Sequence, residues 1–227
     1  MGITINFRGR LRDPSLIPEV IEVATEKAKT SGWILKTMEE MIAEGRVTAR
    51  GLRGVSLWPH PKSEPLRLHF DDEGYFTNHS YYAYLTDPKQ AARFFAMLAA
   101  WPQARMIAGH AAAVTGAGES PIELFRQGSR HVWIKTQHAG PAVHAAVCAF
   151  LREIKERYAP ELEIRDDTGF FESGDYAKLE ADFAAINVLI DRTREAFKTA
   201  AAEGPKTVEA LIERARQVLQ EPGPTPN

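Results

Sequence analysis

A chain of 227 residues, 44% of them hydrophobic and 26% charged, has room for a sizeable core and the balance of an ordinary globular protein. Its formal net charge of -2 gives no global attraction to nucleic acid or acidic membranes, so binding of either kind needs a local patch. The single cysteine, Cys148, excludes an internal disulfide and fits a reducing compartment.

The N-terminal residues alternate, with Ile3, Ile5 and Phe7 on one side and Thr4, Asn6 and Arg8 on the other, as in a half-buried strand. The segment lacks the apolar core of a signal peptide. No apolar run approaches the roughly 18 residues of a membrane span. A soluble, cytoplasmic protein is therefore expected. Asp13-Pro14 caps a helix whose inner face carries Ile17, Val20, Ile21, Ala24 and Ala28, closed by Gly32. Residues 34–44 read as a second short helix with Leu35, Met38, Met41 and Ile42 inward. Val55 and Leu57 mark a strand that ends at Pro59, and Leu66, Leu68 and Phe70 mark the next. Helices are expected after Asp87-Pro88, after Pro102, and from the capping box Ser120-Pro121-Ile122-Glu123.

Val132 and Ile134 alternate with Trp133 and Lys135 in a further strand. Gly140-Pro141 opens a helix with Val143, Val147, Phe150, Leu151, Ile154 and Tyr158 on its apolar face. Leu162 and Ile164 form a strand. A long helix spans about 176–199 with a heptad-like seam, and a last amphipathic helix follows Gly204-Pro205.

One phrase occurs twice. Leu66 to Phe76 and Leu162 to Phe171 each run from an alternating strand through Asp-Asp-x-Gly to an aromatic pair. In each half an apolar strand residue precedes a helix-opening proline by seven, Phe7 to Pro14 and Ile134 to Pro141. The chain reads as two β-α-β-β-α modules related by duplication, the first carrying an insertion, with chance similarity of a short phrase as the rival. The fold class is α+β: a two-layer sandwich with a mostly antiparallel sheet and helices on one face. The expected division is 1–101 for the first module, with the insertion at about 33–63, and 102–130 for a helical connector. It continues with 131–200 for the second module, 201–220 for the C-terminal helix and 221–227 for a disordered tail.

Asp71, Asp72, Asp166 and Asp167 invite a metal or acid–base reading, but aspartate followed by glycine is first of all turn chemistry. If the apolar residues of the strands face the helices, their alternates face out. Those alternates carry the cations Arg8, Arg67, Lys135 and Arg165 with Trp58, His69, His131 and Trp133, and Glu163 is the acid among them. Exposed aromatics and cations on an open sheet are a way to hold bases, phosphates or acidic peptides. The expected binding residues are Arg8, Trp58, Arg67, His69, Trp133, Lys135 and Arg165. Against this stands a solvated face whose tryptophans are covered by the insertion or by a second subunit.

His144 and Cys148 share a helix face four residues apart, with His138 just before. The spacing matches no recognised zinc or protease pattern, so a buried cysteine beside a surface histidine is the simpler reading. No metal, cofactor or catalytic residue is assigned. The expected function is a non-enzymatic binding protein using the open sheet face and the C-terminal helices. Its partner would be a protein, a second copy, or another anionic molecule, with nucleic acid ranked lower and no membrane. The alternative is a hydrolase-like enzyme with His138, His144 and Glu172 gathered near the second Asp-Asp turn.

Overall fold

The computed structural model describes residues 2–87, 89, 92, 96, 126–204 and 207–220. The expected helix after Pro102, the capping box at Ser120 and the tail 221–227 lie outside them. The chain divides into two compact units, Met1–Gly174 and Asp175–Asn227.

The first unit is an α+β fold with two antiparallel three-stranded sheets. Its strands are β1 (Thr4–Arg8), β2 (Ile34–Thr37), β3 (Arg53–Trp58), β4 (Leu66–Phe70), β5 (Val132–Lys135) and β6 (Glu163–Asp166). The sheet orders are β5-β1-β6 and β2-β3-β4. β4 runs beside β5, where the Glu64 amide donates to the Lys135 carbonyl at 3.1 Å. The first strand therefore sits between two strands from the far half of the chain, and the sheets do not divide along the two expected modules.

Helices α1 (Ile17–Ser31) and α4 (Pro141–Tyr158) supply the helical side of the core. Ile17, Val20 and Ala24 from α1 and Val147, Phe150, Leu151 and Ile154 from α4 share one cluster with Ile5, Phe7, Val132 and Ile134. Val55, Leu57, Leu66, Leu68 and Phe70 of the second sheet join the same cluster. A fully buried side chain of this size contributes about 1.5–3 kcal/mol relative to an exposed one. A 3-10 turn at Pro14–Leu16, capped where the Asp13 carboxylate accepts the Ser15 amide, leads into α1, which ends on Gly32 at φ 67°, left-handed backbone that favours glycine.

Three local expectations change. Residues 34–37 are strand β2 rather than the start of a helix, because Ile34 to Thr37 pair with Trp58 to Val55. The helix starts only at α2 (Met38–Ala43), where Thr37 and Glu40 close a capping box. Met38 and Met41 point inward as read, but Ile42 is exposed. After the second Asp-Asp turn, Phe170 and Phe171 lie in the short helix α5 (Phe170–Ser173), not in an aromatic strand. Asp166 accepts the Phe171 amide at 3.0 Å and draws the chain back over itself. The third change concerns the layers. Among the described residues, helices cover one face of β5-β1-β6, but β2-β3-β4 is covered on both. On its outer side Met38, Met41, Val47, Ala49, Leu52 and Ala83 form a second cluster, with Trp58 packed against it. Ala83 belongs to α3 (His79–Thr86).

The second unit is a hairpin of α6 (Tyr176–Ala202) and α7 (Val208–Gln220). Ala196, Ala200 and Ala215 are buried, and Arg214 grips Glu203 with Nε and a terminal nitrogen at 2.8–3.0 Å. Among the described residues no helix is long and apolar enough to cross a membrane.

Candidate binding face

Strand pairing builds one row of side chains at a time. Burial of Ile5 and Phe7 on the inner side leaves Thr4, Asn6 and Arg8 on the other. Asn6 stands opposite both Trp133 and Arg165, Thr4 opposite Lys135, and Arg8 opposite Glu163. Of the seven expected binding residues, Arg8, Trp133, Lys135 and Arg165 thus share one face. Trp133 is half-buried, with Tyr81 at 6.1 Å and His131 at 6.3 Å edge-on to its ring. Tyr81 was not anticipated, since nothing in its helical context signals contact with β5.

Beside this row lies an open groove of about 670 Å³, lined by Asn6, Arg8, His131, Lys155, Arg165 and Asp167 among others. Its charges are not equally available. Arg8 binds Glu163 at 2.7 Å in a largely exposed pair, and Lys155 donates to the Leu162 carbonyl at 2.6 Å. His131 meets the Asn6 side-chain oxygen at 3.2 Å, and burial and then the Arg8 charge hold its pKa below the usual value. Among the described residues, the exposed side chains of Arg165 and Lys135 have no ion-pair partner.

Trp58, Arg67 and His69 belong elsewhere. They sit on the outer side of β2-β3-β4, which the 38–52 segment and α3 cover. His69 is wholly buried, with Nε2 3.0 Å from Ser56 Oγ, and its ring lies 5.2 Å from that of His79. Trp58 packs into the second cluster, and Arg67 is half-buried. The expectation of one continuous open face is corrected here: the strand phase is as read, but the insertion folds over its outer side.

Burial lowers the pKa of His69 well below its ordinary value, with His79 and Arg67 adding repulsion. Burial and Arg67 lower that of His79 to about 4. These histidines take up protons when the chain unfolds in mild acid, so their stability is complete above the unfolded pKa of ~6.5 and falls as pH drops toward 4. Each costs up to ~1.4 kcal/mol per pH unit in that window. With the partly exposed His79 discounted, about 2–3 kcal/mol should be lost between pH 7 and pH 5. Urea unfolding at the two pH values checks this. A His69→Phe variant with the same acid loss as the parent would show that the pair is not responsible.

A second constellation lies on the covered side of the other sheet. His144 and Cys148 share one face of α4, as their spacing requires, but His144 is fully buried rather than on the surface, and their companion is Asp166 rather than His138. His144 Nε2 is 3.1 Å from Asp166 Oδ1, and Nδ1 is 2.8 Å from Thr136 Oγ1. Asp166 also accepts from the Thr168 amide at 3.0 Å and the Thr168 hydroxyl at 2.8 Å. Burial pushes the Asp166 pKa up, but the His144 and Thr168 hydrogen bonds outweigh it and hold the carboxyl well below the usual range. Burial, then the Asp166 charge, pushes the Cys148 thiol up. His138 is exposed and bonds Gln137 at 2.9 Å, and Glu172 is exposed on α5. At the other Asp-Asp turn, Asp71 Oδ1 accepts the Glu73 and Tyr75 amides at 3.0 Å, which is turn chemistry.

No family model, curated protein or solved structure matches the chain.

Proposed function

We propose that the chain is a binding protein that holds an acidic segment of a protein partner across the outer face of β5-β1-β6. The observation that carries the reading is the row Trp133–Asn6–Arg165. It sets a half-buried indole and a guanidinium without an ion-pair partner among the described residues on either side of one strand, with Lys135 next to it. An extended acidic peptide laid along β1 meets a cation on each flank and an aromatic surface for its apolar positions. The hydrolase-like alternative draws less support, because His144 is fully buried and engaged by Thr136 and Asp166 while His138 and Glu172 are exposed.

The test uses poly-glutamate as the probe and tryptophan fluorescence as the readout. Binding should shift the emission of the parent chain but not of Trp133→Phe, and should weaken as salt rises. The double variant Lys135→Glu/Arg165→Glu should bind at least ~10-fold more weakly, about 1.4 kcal/mol. Unchanged affinity in that variant would sink the proposal. Salt-sensitive binding to homopolymer RNA, with none to poly-glutamate, would transfer the face to nucleic acid.

A further inference from the structure

The buried constellation behind β6 contains three chemically different donors brought together from two elements. The ligand atoms of His144, Cys148 and Asp166 all lie within 4.8 Å of one another. The side chains of His144 and Asp166 are completely buried, and so is Cys148. A tetrahedral zinc site has bonds of about 2.0–2.3 Å, which puts its ligand atoms roughly 3.2–3.8 Å apart. The His144–Asp166 distance of 3.1 Å already has that scale, and Cys148 needs a shift of about 1 Å at most.

The surroundings hold the donors as an outer shell holds metal ligands. Thr136 Oγ1 anchors His144 at Nδ1, which aims Nε2 at the other two donors. The Thr168 hydroxyl and the Phe171 amide fix Asp166 Oδ2, turning Oδ1 toward His144. Thr168 Oγ1, 3.5 Å from His144 Nε2, stands where a fourth ligand or a bound water belongs. Charge also closes: a thiolate and a carboxylate balance a divalent cation, so the loaded site is neutral in the core.

We propose that His144, Cys148 and Asp166 form a buried structural site for a divalent cation of the zinc class, beyond and independent of the binding face. On loading, Cys148 releases its thiol proton to solvent and the thiolate binds the metal. His144 binds through Nε2 as neutral imidazole, with Nδ1–H donating to Thr136, and Asp166 binds through Oδ1. Joining two residues on α4 to the end of β6, the ion would clamp the helix layer to the sheet.

The experiment is to refold the full chain with Co(II) and record its absorption spectrum. The expected result is one cobalt per chain, with a thiolate-to-cobalt charge-transfer band in the near ultraviolet. Zinc should displace the cobalt and raise Tm. The band should vanish in both Cys148→Ser and Cys148→Ala, of which at least the smaller-volume alanine leaves the fold without a new buried polar group. Thr136→Val should weaken cobalt binding about 10–100-fold while retaining the band. Absence of the band in the parent, or its persistence in both cysteine variants, would overturn the proposal. Cobalt bound without the band, as on exposed His138, also counts against it.

Discussion

Replacing Asp166 by alanine in the metal-free chain should cost about 3–5 kcal/mol of stability, the penalty for breaking a buried pair from one side. The carboxylate accepts four hydrogen-bond donors or ring contacts: His144, the Thr168 amide, the Thr168 hydroxyl and the Phe171 amide. Alanine takes from these groups the carboxylate that accepts from them in the core. The neighbouring Asp167 gives the internal control. It is exposed, and its carboxylate accepts only the Thr4 amide at 3.0 Å among the described residues. Asp167→Ala should therefore lose no more than about 1 kcal/mol. Urea titration with a chelator present measures both. Equal losses for the two variants would mean that the buried network adds little.

Gly54→Ala should be as damaging for a purely steric reason. Gly54 sits in β3 opposite His69, at φ 138°. A Cβ there would lie 2.0 Å from the Leu68 carbonyl oxygen and 2.9 Å from the His69 Cα. Both obstacles are backbone, so β3 and β4 must part, and with them the contacts of Val55, Leu57, Leu66 and Leu68. The expected cost is about 4 kcal/mol or more, at the severe end of single substitutions. Gly32→Ala provides the contrast, since φ is 67° but no atom lies within 4 Å of the new Cβ. It should lose about 1–2 kcal/mol from backbone strain alone. Circular dichroism and thermal unfolding of the pair discriminate the two mechanisms. A Gly54→Ala chain as stable as Gly32→Ala would require a different β3–β4 pairing.

The strand phase was legible because period-two alternation is a local property: Ile5, Phe7, Val132 and Ile134 are buried as their spacing demands. What covers a strand is not local. Trp58 and His69 carry the same alternation as Trp133, yet the segment around Met38 to Leu52 folds across them, and the inward face of its short helix does not say which strands it meets. The acidic turns show the same limit. Asp71 and Asp166 stand in matching phrases, and both accept turn amides. Only Asp166 also meets a histidine, because α4 happens to present His144 there from 22 positions earlier in the chain. Gly54 did carry a local signal, a glycine within a strand pattern, which marks a close backbone approach.

The central place of β1 bears on how the chain is made. β1 leaves the ribosome ahead of every other element described, yet the strands on both its sides come from residues 132–135 and 163–166. At about 5–20 residues per second, the roughly 160 residues between Arg8 and Asp166 take ~8–30 s to appear. Until β5 appears both edges of this strand lack their partners, and until β6 appears one edge still does; an open edge is a template for pairing with other nascent chains. α1 follows at once and is able to shelter the inner side, but it closes neither edge. Completion of this sheet is thus a late event in synthesis, and a chain stopped anywhere before β6 leaves β1 open on at least one side.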